Sequence, residues 1–135
     1  MPDASLTDLA HGSMPFTAEL GLTVDEGSPE RVVARADWRA DRCTVGGALH
    51  GGYLMAVADS VGALCAFLNL PPGAGTSTIE SKTNFLRAAT EGEITITSEP
   101  LHVGRTTVVV VTDVLRADGK LVSRTTQTQA VLPGP

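Results

Sequence analysis

Residues 48–68 read ALHGGYLMAVADSVGALCAFL, and this stretch decides the fold. From Tyr53 onward it is apolar on every side except at Asp59, Ser60 and Gly62. A segment that is apolar all round is either a membrane span or a helix surrounded by protein. Its roughly 16 residues make about 24 Å of helix, enough to cross a small domain. The stretch therefore predicts a buried central helix that carries an acid in its middle.

Asp59 has a structural and a functional interpretation. A buried aspartate satisfied by a neighbouring hydroxyl or amide is the structural one, because an unpaired buried acid costs several kcal/mol. The functional one depends on Gly51 and Gly52, where bare backbone lets a ligand approach the first N–H groups of the helix. Those N–H groups lie at the positive end of the helix dipole and can stabilise a developing oxyanion.

The spacing of these residues predicts an oligomer. Asp59 follows Gly52 by seven residues, nearly two turns, so both lie on one face of the helix. They are nevertheless about 10 Å apart along the axis, whereas a reacting carbonyl must lie about 3 Å from both kinds of group. Two antiparallel copies related by a two-fold axis satisfy both distances. We therefore expect paired sites at a homodimer interface.

Composition excludes several partners. The 135 residues form one domain, and a net charge of −5 with 4% aromatic residues argues against nucleic acid and anionic membrane. Asp59 interrupts the central stretch, which also lacks Lys and Arg flanks, so we expect no membrane span. Two cysteines form no disulfide framework, and no signal peptide is visible at Met1–Ser5. A cytoplasmic protein is expected.

The rest of the chain reads mainly as strands. We expect a helical or irregular segment over residues 1–15, with a short helix at residues 3–13, and a hairpin formed by 16–24 and 31–38. Four further runs follow at residues 76–87, 93–103, 106–116 and 121–132. These four form a consecutive antiparallel meander, in which Asp118-Gly119 marks a hairpin turn. The predicted class is α+β, a long helix wrapped by a curved antiparallel sheet of about five to six strands.

The arrangement resembles the hotdog-fold acyl-CoA thioesterases, most closely the phenylacetate-degradation type. The resemblance covers about residues 16–132 and depends first on GGALHGG at residues 46–52, followed by Asp59. TIESKTNFLRAA at 78–89 is similar to the family's strand after the helix, and Gly104–Thr106 to its tight turn. It implies the hotdog fold, hydrolysis of acyl-CoA, and a homodimer or dimer of dimers with shared sites.

The resemblance also implies roles for single residues. Asp59 would activate water or attack the thioester directly, and the Gly51 N–H would polarise the thioester carbonyl. His50 would shape that end of the site, and the Thr78 hydroxyl would help to hold the water. Many members carry Asn or Gln where this chain has Thr44, so its contact with the oxyanion is expected to be weaker.

Substrate contacts and cofactors complete the expectations. Lys82, Arg87 and Arg105 lie in segments that the family uses at the CoA end, although solvated strand-end charge is the alternative for each. Gly52 offers a further backbone contact, and Tyr53 and Phe67 line either an acyl pocket or the core. No cofactor is expected beyond the CoA of the substrate. No metal is expected, because the three histidines have no ligand spacing.

Two other functions remain open. A hotdog-fold hydratase or dehydratase would act on an enoyl or 3-hydroxyacyl thioester, but its Asp-x-Asn-Pro pattern is absent from residues 43–47, before His50. A non-catalytic acyl-CoA binding module would tolerate loss of Asp59. Both alternatives are distinguished from hydrolysis by the products formed.

Overall fold

The computed structural model describes all residues, Met1–Pro135. Its regular elements are three α-helices and six strands, with two short 3₁₀ turns between β2 and α3. The elements are α1 (Ala4–Ser13), α2 (Phe16–Glu19), β1 (Thr23–Ser28), β2 (Arg31–Asp37), α3 (Gly51–Phe67), β3 (Gly75–Phe85), β4 (Glu93–Val103), β5 (Thr107–Leu115) and β6 (Leu121–Leu132). The predicted hotdog fold is confirmed: one long helix and one six-stranded curved antiparallel sheet.

The order of the strands differs from the predicted meander. It is β1-β2-β4-β5-β6-β3, so β3 pairs with β6 and forms an edge of the sheet, and β4 pairs with β2. The β2–β4 pair places fully buried side chains opposite each other, such as Ala34 and Ile96. Most residues of β3 are exposed and many are polar. The prediction was wrong here because hairpin linkage was assumed from sequence order, whereas burial of the apolar strands decides which strand lies at the edge.

The sheet does not enclose α3 completely. The helix packs against strands β2 to β6 and buries residues such as Val57, Val61 and Cys65. A stripe that includes Gly52, Met55 and Asp59 stays exposed. The expectation that Asp59 is buried within the chain is therefore wrong, since this face of the helix lies in the gap between the two sheet edges. No helix of the chain has both the length and the apolar character needed to cross a bilayer.

The N-terminal region is more helical than predicted. The expected helix at residues 3–13 is present, with the Asp3 side chain accepting a hydrogen bond from the Leu6 N–H at 3.0 Å as its N-cap. Residues 16–24 were expected to be a strand, but the first four form α2 and the strand begins at Thr23. The loop of this hairpin is shorter than the predicted bounds of its strands imply, since β1 continues as far as Ser28, where its N–H groups and carbonyls pair with those of β2.

Candidate active site

The loop before α3 fixes the position of His50. The His50 N–H donates to the Arg42 carbonyl at 2.9 Å, and the Thr44 N–H donates to the Ala48 carbonyl at 2.8 Å. Between these two bonds, Cys43 and Leu49 form an isolated β-bridge. Thr44 is exposed, so its hydroxyl faces solvent on the loop that leads to the helix.

His50 caps the first turn of α3. Its backbone is extended (φ −61°, ψ 137°), and its Nδ1 accepts a hydrogen bond from the Gly52 N–H at 2.8 Å. A neutral ring that accepts at Nδ1 carries its proton at Nε2. The cap takes up the Gly52 N–H, while the Gly51 N–H belongs to the first turn and has no intrahelical acceptor. Of the two glycine N–H groups predicted to polarise a carbonyl, that of Gly51 is the better placed.

Asp59 lies two turns into α3 and is held through one of its two carboxylate oxygens. Oδ1 accepts a hydrogen bond from Gln127 Nε2 at 2.6 Å and from the Thr78 hydroxyl at 3.4 Å. Gln127 is fully buried beneath it, whereas Asp59 is exposed. Oδ2 takes no hydrogen bond within the chain and is free to accept a proton or to attack an electrophile.

The Thr78 hydroxyl is itself held by a buried amide. Gln129 Nε2 donates to Thr78 Oγ1 at 2.7 Å, and the Thr76 hydroxyl donates to Gln129 Oε1 at 3.0 Å. Because Thr78 Oγ1 accepts from Gln129, its own hydrogen can point to Asp59. The Thr78 hydroxyl, which was predicted to help hold the water, therefore lies beside Asp59, and two glutamines of β6 hold the two side chains in place.

Gly62 makes room for the Gln127 amide. A Cβ added at Gly62 would overlap Gln127 Oε1 and lie 3.2 Å from the Thr112 hydroxyl. Gln127 Oε1 is buried and has no hydrogen-bond partner. With Oε1 against the bare helix backbone, Nε2 of the same amide points at Asp59. Gly62 therefore acts on the site through Gln127.

Gln127 and Gln129 were missed by the sequence reasoning. Along β6 the buried positions alternate, and they include Thr125, Gln127 and Gln129. A signal was available in SRTTQTQ at residues 123–129, since this strand is polar on the face that should bury apolar side chains. Such long buried amides need partners, and one of them is Asp59.

Gly51 and Asp59 do not meet within one chain. They are eight residues apart on the same helix, which is about 12 Å of axial rise. One copy of the chain therefore presents a carboxylate and a free N–H group that are too far apart to act on one carbonyl.

Tyr53 lies on a different face of α3 from Asp59, since six residues turn the helix by about 240°. Its hydroxyl donates to the Leu20 carbonyl at 2.7 Å, and the Arg42 guanidinium lies 5.2 Å from its ring centroid. Burial raises the pKa of the Tyr53 hydroxyl, and the nearby Arg42 opposes this. These contacts attach α3 to the N-terminal region.

The three predicted CoA-contacting cations are not clustered within one chain. Lys82 Nζ donates to Asn84 Oδ1 at 2.7 Å on the exposed edge strand, and Arg87 Nη1 donates to the Leu121 carbonyl at 3.0 Å. Arg105 lies in the turn between β4 and β5, at the other end of the sheet. About nine residues of β6 separate the two arginines, roughly 30 Å of strand.

Comparison with known proteins gives consistent matches. The family model described as "Thioesterase superfamily" matches residues 46–123. The Mycobacterium tuberculosis protein named "Putative esterase Rv1847" is 35% identical over 96 residues, which are 69% of this chain and 69% of that protein. Its solved structure aligns with a TM-score of 0.87 at 28% identity, covering 90% of this chain and 99% of that one.

Two further solved structures are similar over most of the chain. AziG of S. sahachiroi has a TM-score of 0.84 at 33% identity and covers 87% of this chain and 96% of its own. Thioesterase HI1161 of Haemophilus influenzae has a TM-score of 0.86 at 25% identity and covers 94% of this chain and 87% of its own. The agreement spans the strands as well as the central helix.

Proposed function

The chain belongs to the thioesterase superfamily, and from this premise we propose that it hydrolyses an acyl-CoA thioester to a carboxylic acid and coenzyme A. The observation that carries the proposal is the exposed Asp59 carboxylate, whose Oδ1 is held by Gln127 while Oδ2 is free. A carboxylate held in this way keeps its reactive oxygen aimed in one direction. The thiolate leaving group departs readily, so a carboxylate with an oxyanion donor is sufficient chemistry.

Asp59 acts in one of two ways. As a general base, Oδ2 takes a proton from water, the hydroxide adds to the thioester carbon, and the C–S bond breaks with the proton passing to the thiolate. As a nucleophile, Oδ2 adds to the same carbon and expels the thiolate, leaving an anhydride that water hydrolyses. The Thr78 hydroxyl, 3.4 Å from Oδ1, is placed to orient the water in either route. A single turnover in heavy-oxygen water tests for the second route, since water that opens the anhydride at its aspartyl carbonyl leaves label in the protein.

We propose that the oxyanion donor comes from a second copy of the chain. The exposed stripe of α3 includes Met55 (38% exposed), and the edge strand β3 exposes Ile79 (62%). A homodimer, alone or as half of a dimer of dimers, would cover this apolar surface. Antiparallel α3 helices would set the Gly51 N–H of one chain opposite Asp59 of the other.

The same two-fold arrangement would place cations from both chains beside each site. Lys82 is on the edge strand β3, Arg87 follows that strand, and Arg105 is in the turn between β4 and β5. These cations would hold the CoA phosphates at the mouth of the active site. Gly52, which has no side chain, would let the substrate approach the backbone of α3 closely. The exposed Thr44 would offer one hydroxyl to the thioester carbonyl. His50 Nε2–H is the further donor at that end.

The test is hydrolysis of a panel of acyl-CoA substrates, with free thiol as the readout. Asp59→Asn should keep the fold and the dimer and reduce turnover by at least ~100-fold, the scale of a lost acid–base group. Asp8→Asn, at an exposed acid of α1, is the matched control and should hydrolyse at the parent rate. Parent-rate hydrolysis by Asp59→Asn would refute the mechanism. A change in double-bond absorbance without thiol release would indicate a hydratase instead.

A further inference from the structure

A cavity of about 340 Å³ lies between α1 and the second half of α3. Leu9 and Met14 line it from the N-terminal side, and Ala63 and Phe67 line it from α3. The opposite wall is formed by the start of β3, including Thr78. The cavity thus fills the part of the gap between the sheet edges that α1 covers.

The cavity opens directly beside the reactive carboxylate. Thr78 belongs to both, since it lines the cavity and its hydroxyl lies 3.4 Å from Asp59 Oδ1. Ala63 is one helical turn beyond Asp59, on the side toward the cavity. An acyl group whose carbonyl lies at Asp59 would therefore extend past Thr78 toward this space.

The outer wall of the cavity is fastened to the sheet. The Thr7 hydroxyl donates to the Val24 carbonyl at 3.2 Å and accepts from the Val24 N–H at 3.0 Å. His11 Nε2 lies 2.8 Å from the Leu22 carbonyl, a third hydrogen bond between α1 and the region of β1. Ala10 is buried between them. The cavity is consequently formed before a ligand arrives, which lowers the cost of binding.

We propose that this cavity holds the acyl group of the substrate, and that α1 is the wall that limits its size. The inference rests on the proposed thioesterase activity and names its substrate class. A cavity of about 150 Å³ holds benzene, so this one accommodates an apolar group of roughly twice that size. The expected substrates carry a medium-length alkyl acyl group or an aromatic acyl group larger than phenyl, and acetyl thioesters leave the cavity empty.

The experiment measures kcat/KM for straight-chain acyl-CoA esters from acetyl to palmitoyl, and for phenylacetyl-CoA. Each added methylene should raise kcat/KM about fourfold until the cavity is full, and longer chains should then lose activity. Ala63→Leu fills the cavity and should lower the ratio of octanoyl to acetyl activity at least ~10-fold. Phe67→Ala enlarges the cavity and should shift the optimum to longer chains. Ala18→Leu, the same change at an exposed site on α2, should leave the profile unaltered.

The outcomes separate the two proposals. Hydrolysis with a flat chain-length profile, or an equal loss on every ester in Ala63→Leu, would overturn the cavity assignment and leave the thioesterase activity intact. Absence of hydrolysis with every ester would overturn both. If Ala63→Leu fails to give the circular dichroism spectrum of the parent, the shift in Phe67→Ala decides, and an unmoved optimum there overturns the assignment.

Discussion

Gly62→Ala should reduce catalysis although Gly62 is buried and acts on the site only through Gln127. The added methyl group would overlap Gln127 Oε1 and approach the Thr112 hydroxyl to 3.2 Å. Both neighbours are fully buried, so Gln127 cannot move into solvent to relieve the overlap. The amide must rotate or shift, which breaks its 2.6 Å hydrogen bond to Asp59.

The size of the effect follows from that one bond. A hydrogen bond to a charged group contributes about 1.5–3 kcal/mol, so its loss should lower kcat by about 10- to 150-fold. Substrate contacts are not altered, and KM should change much less than kcat. Stability should fall by a few kcal/mol as well, because the gain of about 1 kcal/mol from replacing glycine by alanine is smaller than the combined loss from about 1–3 kcal/mol of overpacking and from the broken hydrogen bond.

The assay is thioester hydrolysis, paired with urea unfolding of the same samples. Gly12→Ala is the matched control, because Gly12 is also in a helix and a Cβ there meets nothing within 4 Å. This control should keep parent kinetics and gain up to about 1 kcal/mol of stability. In an Asp59→Asn background, Gly62→Ala should not lower the activity further, since the carboxylate that accepts the Gln127 hydrogen bond has already been replaced. Parent kcat in Gly62→Ala alone would refute the role given to Gln127.

Two further predictions concern stability. Burial, with the Glu99 charge, raises the pKa of the Cys65 thiol from 9.0 to about 11, so the unfolded chain loses this proton first. The free energy of unfolding should therefore keep this contribution in full below pH 9 and fall by up to about 1.4 kcal/mol per pH unit between pH 9 and 11. Urea unfolding across this range should show a smaller fall in Cys65→Ala, and equal slopes would contradict the assignment. Tyr53→Phe should lose about 1–2 kcal/mol of unfolding free energy, because the Leu20 carbonyl loses its donor. An increase in KM without a loss of stability would instead make Tyr53 a substrate contact.

The central helix and most strands were predictable because their signals are local. The apolar stretch ending near Leu68, the turn at Asp118-Gly119 and the alternation in β4 and β5 each depend on neighbouring residues. Strand order was not predictable in the same way, since the paired residues of β3 and β6 are at least 38 positions apart in the sequence. The exposed or buried state of Asp59 also depends on the sheet, whose edges leave that face of the helix uncovered.

The candidate site was predictable where helix geometry alone places a residue. Gly51, His50 and Asp59 share one helix, so their spacing was fixed by its rise. Gln127 and Gln129 come from the last strand, and the pairing of β6 with β3 brings them to Asp59 and Thr78, respectively. No local sequence pattern predicts that pairing. The cavity beside Thr78 requires α1, α3 and β3 together, and no local pattern indicates it.

The claim that each site combines Asp59 of one chain with the Gly51 N–H of another is tested most directly with mixed dimers. Gly51→Pro removes that N–H, and proline suits the first helical position after the extended His50. Each single variant should be inactive. A purified heterodimer of Asp59→Asn with Gly51→Pro, made with two affinity tags, should recover about half of parent activity, because one of its two sites is intact. A heterodimer as inactive as its parents would contradict a site shared between chains.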